Sequence, residues 1–125
     1  MASILIIDDS SYMRGKISGI LKIDGHEIIE ADNGLKGLQM TSAHAPDCIL
    51  LDIIMPGMDG LKFIKSQRDQ GSKTPMIVVT ADIQESTIKQ CLDLGAFAVI
   101  NKPPKEDELR NTIKKALSSK TEAGK

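Results

Sequence analysis

The chain has 125 residues, of which 41% are hydrophobic and 26% are charged, and its formal net charge is −1. This length and composition fit one globular domain and leave no room for a second. The charge argues against general nucleic-acid affinity, and no apolar run reaches the length of a membrane span or signal-peptide core, so we expect a cytoplasmic protein. Its two cysteines, Cys48 and Cys91, lack metal-type spacing and are expected to be buried free thiols.

Short apolar runs and helical stripes alternate along the chain. The predicted strands cover residues 3–7, 26–31, 48–51, 76–79 and 97–100. The predicted helices carry apolar faces made of Met13, Ile17, Ile20 and Leu21 in the first, Leu35 and Leu38 in the second, Leu61 and Ile64 in the third, Ile88, Cys91 and Leu92 in the fourth, and Leu109, Ile113, Ala116 and Leu117 in the fifth. Asp9 or Ser10 is expected to cap the first helix, and Gly25 to end it.

This alternation predicts a parallel sheet with helices on both faces, because right-handed crossovers join such strands. We expect an α/β fold of the flavodoxin-like (βα)5 type, a three-layer sandwich whose five-stranded sheet has the order 2-1-3-4-5. No apolar face remains beyond Leu117. Residues 1–119 are therefore expected to form the domain, and residues 120–125 a flexible C-terminal tail.

The segment DCILLDIIMPGMDG places Asp52 at the end of a buried strand, before a loop broken by proline and glycine. In the predicted topology, the ends of strands 1, 3, 4 and 5 share one edge of the sheet, where ligands usually bind. Polar residues therefore converge at this edge: Asp8, Asp9, Asp52, Thr80 and Lys102. Taken alone, the acidic pair is as typical of helix capping as of a functional site, and Asp52 is more typical of a cap. Lys102 taken alone is more typical of a solvated surface side chain.

Three crowded carboxylates repel one another by a few kcal/mol per close pair, so a cation is expected among them. Lys102 is one candidate and a divalent ion is the other. All-oxygen ligands favour Mg²⁺, with Mn²⁺ as a substitute. The cluster contains no histidine or cysteine, which disfavours zinc.

Four segments in this order carry a family resemblance: ILIIDDS, LLDIIMPGMDG, VVTAD and INKPP. Together they resemble the receiver domain of bacterial response regulators, in the style of single-domain chemotaxis regulators, over essentially the whole chain. The resemblance implies that Asp52 accepts a phosphoryl group from the phosphohistidine of a histidine kinase. It also implies that Asp9, Asp52 and the backbone carbonyl of Ile54 hold Mg²⁺, with Asp8 acting through water.

By the same resemblance, Lys102 binds a phosphoryl oxygen and the Lys102–Pro103 peptide is cis. The Thr80 hydroxyl turns toward the phosphoryl group, Ala81 leaves room for it, and a partner recognises the shifted surface of the fourth helix, fifth strand and fifth helix. Such a receiver is a phosphoacceptor that catalyses only its own phosphorylation and dephosphorylation. Its partners would be a histidine kinase and a downstream protein, at the flagellar switch or in a phosphorelay, without direct contact to DNA or membrane.

Three residues depart from the usual receiver pattern. Val99 replaces a tyrosine or phenylalanine whose rotation accompanies the threonine movement, so we expect a smaller or differently routed response. Ile54 is apolar where relatives often carry a polar side chain, which alters the attack of water on the acyl phosphate. Pro104 replaces an aromatic residue and suits the first position of a helix.

Three other functions compete with this interpretation. A small Mg²⁺-dependent phosphohydrolase would also use Asp52 as its nucleophile, but no general acid or substrate-covering cap is visible in the short loops. A flavodoxin-like FMN module is disfavoured because the first strand–helix turn is acidic and lacks a glycine-rich phosphate cradle. A degenerate receiver acting by binding alone remains a further alternative. The chain ends after the fifth helix, so an output by protein contact is expected.

Overall fold

The computed structural model describes residues 2–123, and their side chains up to residue 119. The strands are β1 Ser3–Ile7, β2 Glu27–Ala31, β3 Cys48–Leu51, β4 Met76–Thr80 and β5 Ala98–Asn101. The helices are α1 Ser11–Ile23, α2 Gly34–His44, α3 Gly60–Asp69, α4 Glu85–Asp93 and α5 Glu106–Ala123. None of the helices in the described part of the chain has the length and apolar character needed to cross a membrane.

All neighbouring strands pair in parallel, in the order β2-β1-β3-β4-β5, which confirms the predicted topology. Successive side chains of β1 point to opposite faces of the sheet. Ile4 and Ile6 pack with α1 and α5 on one face, whereas Leu5 and Ile7 belong to the cluster formed with α2, α3 and α4 on the other. Because both faces are covered, the strands are continuous apolar runs rather than alternating ones.

Local signals place the helix ends. The Ser10 hydroxyl, one of the two predicted caps, accepts a hydrogen bond from Met13 N at the start of α1. Gly25 follows the end of α1 with φ +86°, a left-handed conformation that costs glycine little. Cys48 and Cys91 are both buried and form no disulfide, in agreement with the prediction.

Three sequence-based predictions are corrected. Leu35 is 61% exposed and does not belong to the buried face of α2. Leu92 is 46% exposed, whereas its neighbour Cys91 is buried. Adjacent residues lie about 100° apart around a helix, so the narrow face that α4 turns to the sheet accommodates only one of them.

The third correction concerns Pro104, which lies two residues before the start of α5 at Glu106 rather than at its first position. Helix α5 extends to Ala123, and the flexible tail at residues 120–125 stays a prediction. Extending an existing helix costs little for residues such as lysine, glutamate and alanine. The remainder of the predicted tail, residues 124–125, lies outside the described residues.

Candidate functional site

Strand register brings the two central aspartates together. Ile7 pairs with Leu51 across β1 and β3, so the next residues, Asp8 and Asp52, leave the sheet side by side. Asp52 N donates to the Ile7 carbonyl at 3.0 Å, and Asp8 N donates to the Ala31 carbonyl at 3.1 Å. Asp8 is 3% exposed and Asp52 is 6% exposed. The backbone therefore holds two nearly buried carboxylates at the sheet edge.

Lys102 joins these carboxylates from the end of β5. Its Nζ lies 2.8 Å from Asp8 Oδ2 and 2.9 Å from Asp52 Oδ2. Lys102 N donates to the Thr80 carbonyl at 2.9 Å, and the Lys102–Pro103 peptide is cis, as the resemblance implied. Burial lowers the pKa of the ammonium, but hydrogen bonds to Asp8 and Asp52 and their negative charges outweigh it, so the pKa of Lys102 is raised.

Each carboxylate uses its second oxygen to accept a backbone hydrogen bond. Asp8 Oδ1 accepts from Ser10 N at 2.8 Å, and Asp52 Oδ1 accepts from Ile54 N at 3.2 Å. Both side chains are thus oriented by one amide and one ammonium. A carboxylate held in this way pays little additional ordering cost when it binds a cation or reacts.

The donor set fits a divalent cation that prefers oxygen. Carboxylate oxygens of Asp8, Asp9 and Asp52 lie within 4.8 Å of one another, and Asp9 is exposed toward solvent. Three carboxylates and one ammonium leave a net charge of −2, which one divalent cation balances. Oxygen ligands with an open, water-accessible side suit Mg²⁺. Ile54 contributes its amide to Asp52, and its side chain is 62% exposed.

Thr80 is fully buried at the end of β4. Its Oγ1 accepts a hydrogen bond from Asp82 N at 3.2 Å. Ala81 is exposed and lines an open cleft of about 570 Å³ together with Ile54, Asp82, Ile83 and Gln84. The structure therefore groups Asp8, Asp9, Asp52 and Lys102 directly, and places Thr80 next to Lys102 through the backbone.

Two contributors were missed from the sequence. Arg14 Nη1 donates to the Asp8 carbonyl at 2.6 Å while its Nε pairs with Glu30, which fixes the backbone behind the acidic pair. Gly60 begins α3 where a Cβ would lie 2.5 Å from the Asp52 carbonyl oxygen. A glycine placed directly after the α3 cap, Asp59, was a readable signal for this close approach, whereas nothing in the sequence marked Arg14.

A parallel sheet of this order, with an acidic pair and a lysine at its carboxyl edge, defines a receiver-type α/β protein. The family model for the response regulator receiver domain matches residues 4–114, and the chain belongs to this family. It is 34% identical to the chemotaxis protein CheY of Bacillus subtilis, over 92% of this chain and 97% of that protein. The solved structure of CheY4 from Vibrio cholerae has a TM-score of 0.87 and 29% identity, covering 94% of this chain and 99% of the other.

Receivers also occur inside longer proteins. The chain is 38% identical to the regulatory protein AtoC of Escherichia coli, matching 91% of this chain but only 25% of AtoC. The function defined by the family is that of a phosphorelay response regulator, a class of signalling protein that accepts phosphate from histidine kinases and binds downstream partners. The phosphohydrolase and FMN-binding alternatives receive no support from these relatives.

Proposed function

We propose that Asp52 is the phosphoacceptor of this response regulator and that Asp8, Asp9, Lys102 and Thr80 serve its phosphorylation. The observation that carries the proposal is the environment of Asp52. Its carboxylate is nearly buried, and one oxygen accepts a hydrogen bond from the Lys102 ammonium while the other accepts one from the Ile54 amide. It lies beside two further carboxylates that a divalent cation would bridge.

The chemistry is transfer of a phosphoryl group from a phosphohistidine. An oxygen of Asp52 attacks phosphorus, the O–P bond forms as the P–N bond breaks, and the imidazole leaves as a neutral ring once it carries one proton. Asp52 and Asp9, the carbonyl of Ile54 and, through water, Asp8 would hold Mg²⁺ or Mn²⁺. That ion would neutralise charge on the phosphoryl oxygens as the transfer proceeds.

Lys102 and Thr80 would stabilise the product. The Lys102 ammonium already spans Asp8 and Asp52, so a short movement gives one of its N–H groups to a phosphoryl oxygen. The Thr80 hydroxyl would turn from its present position to donate to another oxygen, and Ala81 adds little bulk beside that oxygen. The product would be an acyl phosphate that Lys102 stabilises by its charge and Thr80 by a hydrogen bond, with a bound metal ion supplying further positive charge.

In this role the protein is not an enzyme acting on separate substrates, and it catalyses only its own phosphorylation and dephosphorylation. A histidine kinase would supply the phosphoryl group in the cytoplasm. A downstream protein, in chemotaxis or a phosphorelay, would recognise the surface of α4, β5 and α5.

The test is a mass measurement after incubation with acetyl phosphate, with Mg²⁺ or with excess chelator. We expect the wild type to gain one phosphate only with Mg²⁺, and Asp52→Asn to gain none. Asp69→Asn is the matched control, because Asp69 is an exposed aspartate that pairs with Lys65 away from the site. Equal gain by Asp52→Asn would assign the acceptor elsewhere. No gain by the folded wild type would indicate a receiver that works by binding alone.

A further inference from the structure

Helix α4 has few attachments of its own. Within α4, all of whose residues are described, Cys91 is the one buried side chain. Gln84 occupies the N-cap position but makes no side-chain hydrogen bond to the helix. By comparison, α1 buries five residues and α3 buries four, and each has a side-chain cap. An element with so little burial and capping lies at the low-stability end of a fold.

Asp82 supplies the attachment that the cap does not. Its Oδ1 accepts from Gln84 N at 3.2 Å, and its Oδ2 accepts from the Thr87 hydroxyl at 3.0 Å, one turn into α4. A negative charge at a helix N-terminus is also favourable toward the helix dipole. Burial and the nearby charge of Asp82 both raise the pKa of the Cys91 thiol, which agrees with a carboxylate close to the inner side of α4.

The same residue is bound to the site. Asp82 N donates to Thr80 Oγ1 at 3.2 Å, so Thr80, Asp82 and Thr87 form one continuous chain of hydrogen bonds. The alternative route through β5 is poor, because Val99 is β-branched and packs partly buried against the core. A change in Thr80 can therefore reach α4 directly through Asp82. The side chain of Val99 offers no comparable rotation that would transmit the change through β5.

We propose that Asp82 is a positioning residue that couples Thr80 to α4 through Thr87, so that phosphorylation alters the start of α4 by this relay. The coupling rests on the proposed phosphorylation of Asp52. When the Thr80 hydroxyl turns to the phosphoryl group, it gives up the Asp82 amide. The Asp82 loop then moves, and the carboxylate that holds Thr87 moves with it.

The first experiment measures hydrogen–deuterium exchange of α4 amides in the intact, unphosphorylated protein. Thr87→Val keeps the side-chain shape and removes the hydroxyl, so we expect exchange about fivefold faster in α4. Thr87→Ser should restore the wild-type rate. Thr80→Val should also speed exchange, and the double variant should show less than the combined effect because both changes interrupt one connection. Thr112→Val is the control, since that hydroxyl bonds Glu108 within α5.

If the effects of the two single changes on α4 exchange simply add in the double variant, or if Thr87→Val exchanges at the wild-type rate, the relay is refuted.

The second experiment repeats the exchange measurement after incubation with acetyl phosphate and Mg²⁺, with the mass gain recorded for every variant. We expect Thr87→Val to gain phosphate as the wild type does but to lose the phosphorylation-dependent change in α4. An undiminished change in Thr87→Val would refute the coupling. Absence of a mass gain in all proteins would refute the proposed function instead, and the first experiment would still decide the relay.

Discussion

Replacing Lys102 by methionine tests the charge balance of the site. The lysine side chain is 16% exposed and pairs with both Asp8 and Asp52, and methionine keeps much of its length without the charge. Two unit charges 4.8 Å apart repel by about 3.5 kcal/mol at an effective dielectric near 20. Because the variant leaves two nearly buried carboxylates unpaired, we expect the free energy of unfolding to fall by about 3–5 kcal/mol in chelator.

Mg²⁺ distinguishes this electrostatic loss from a packing loss. The ion would meet a net charge of −3 in Lys102→Met and −2 in the wild type, so it should bind the variant more tightly. A ligand at a hundred times its Kd stabilises a fold by about 2.7 kcal/mol, and tighter binding adds to this. We therefore expect saturating Mg²⁺ to narrow the stability gap between the two proteins by at least about 1 kcal/mol.

Urea unfolding followed by circular dichroism, with chelator and with Mg²⁺, measures this gap. Lys89→Met is the matched control, because Lys89 pairs with Asp93 on the exposed face of α4. It should change stability by less than about 0.5 kcal/mol in both conditions. If Lys102→Met loses the same stability with and without Mg²⁺, the cost is not the unpaired charge and the argument fails.

Three further predictions use other features of the fold. Gly60→Ala should lower the free energy of unfolding by about 2–3 kcal/mol and reduce phosphate uptake, because its Cβ would displace the Asp52 backbone. Gly15→Ala, which adds a Cβ in open space on α1, should raise the free energy of unfolding by about 1 kcal/mol. Urea unfolding measures the stability of both variants, and mass gain measures their phosphate uptake. Two guanidinium nitrogens of Arg68 donate to the carbonyls of Ser72, Thr74 and Gly95, so Arg68→Leu should lower the free energy of unfolding in urea by about 3 kcal/mol. Arg68→Lys should restore only part of this, because one ammonium does not reproduce the geometry of the two nitrogens, and full restoration would refute that argument. Burial and the charge of Asp82 raise the pKa of the Cys91 thiol in the folded protein. The free energy of unfolding should therefore be constant below the ordinary thiol pKa and fall as pH rises from there toward the raised pKa of the folded protein. Thiol reagents should label native Cys91 slowly throughout, and rapid labelling would contradict this.

The architecture was predictable because the strands are short continuous apolar runs separated by helical stripes. That pattern admits a parallel sheet covered on both faces and little else. The deviations occurred where the sequence pattern is weak. Leu92 and Cys91 are both apolar, and only the tertiary position of α4 decides which one is buried. Leu35 also fits the apolar pattern of α2, but the tertiary position of that helix leaves it exposed.

For the candidate site, the sequence was sufficient to predict which strand ends lie next to one another. Asp8, Asp52 and Lys102 were placed together by topology alone, and the structure puts them in contact. The partners that orient them were not predictable, because each depends on where a side chain from a distant element ends. Arg14 reaches the Asp8 carbonyl from α1, and Asp82 reaches Thr87 across a loop, without any distinctive spacing.

The acidic site at the sheet edge and helix α4 differ in how many contacts hold each of them in the fold. Asp8 and Asp52 follow strands β1 and β3, each of which is paired with a neighbouring strand on both sides, so the sheet resists movement of either aspartate. Helix α4 buries one side chain, Cys91, and Asp82 accepts hydrogen bonds from Gln84 N and the Thr87 hydroxyl at its start. A perturbation at the sheet edge is therefore expected to move the start of α4 before it moves the strands. Under the proposed phosphorylation of Asp52, the new charge would have to offset only the few hydrogen bonds of Asp82, about 1 kcal/mol each, to alter the surface proposed to bind a partner.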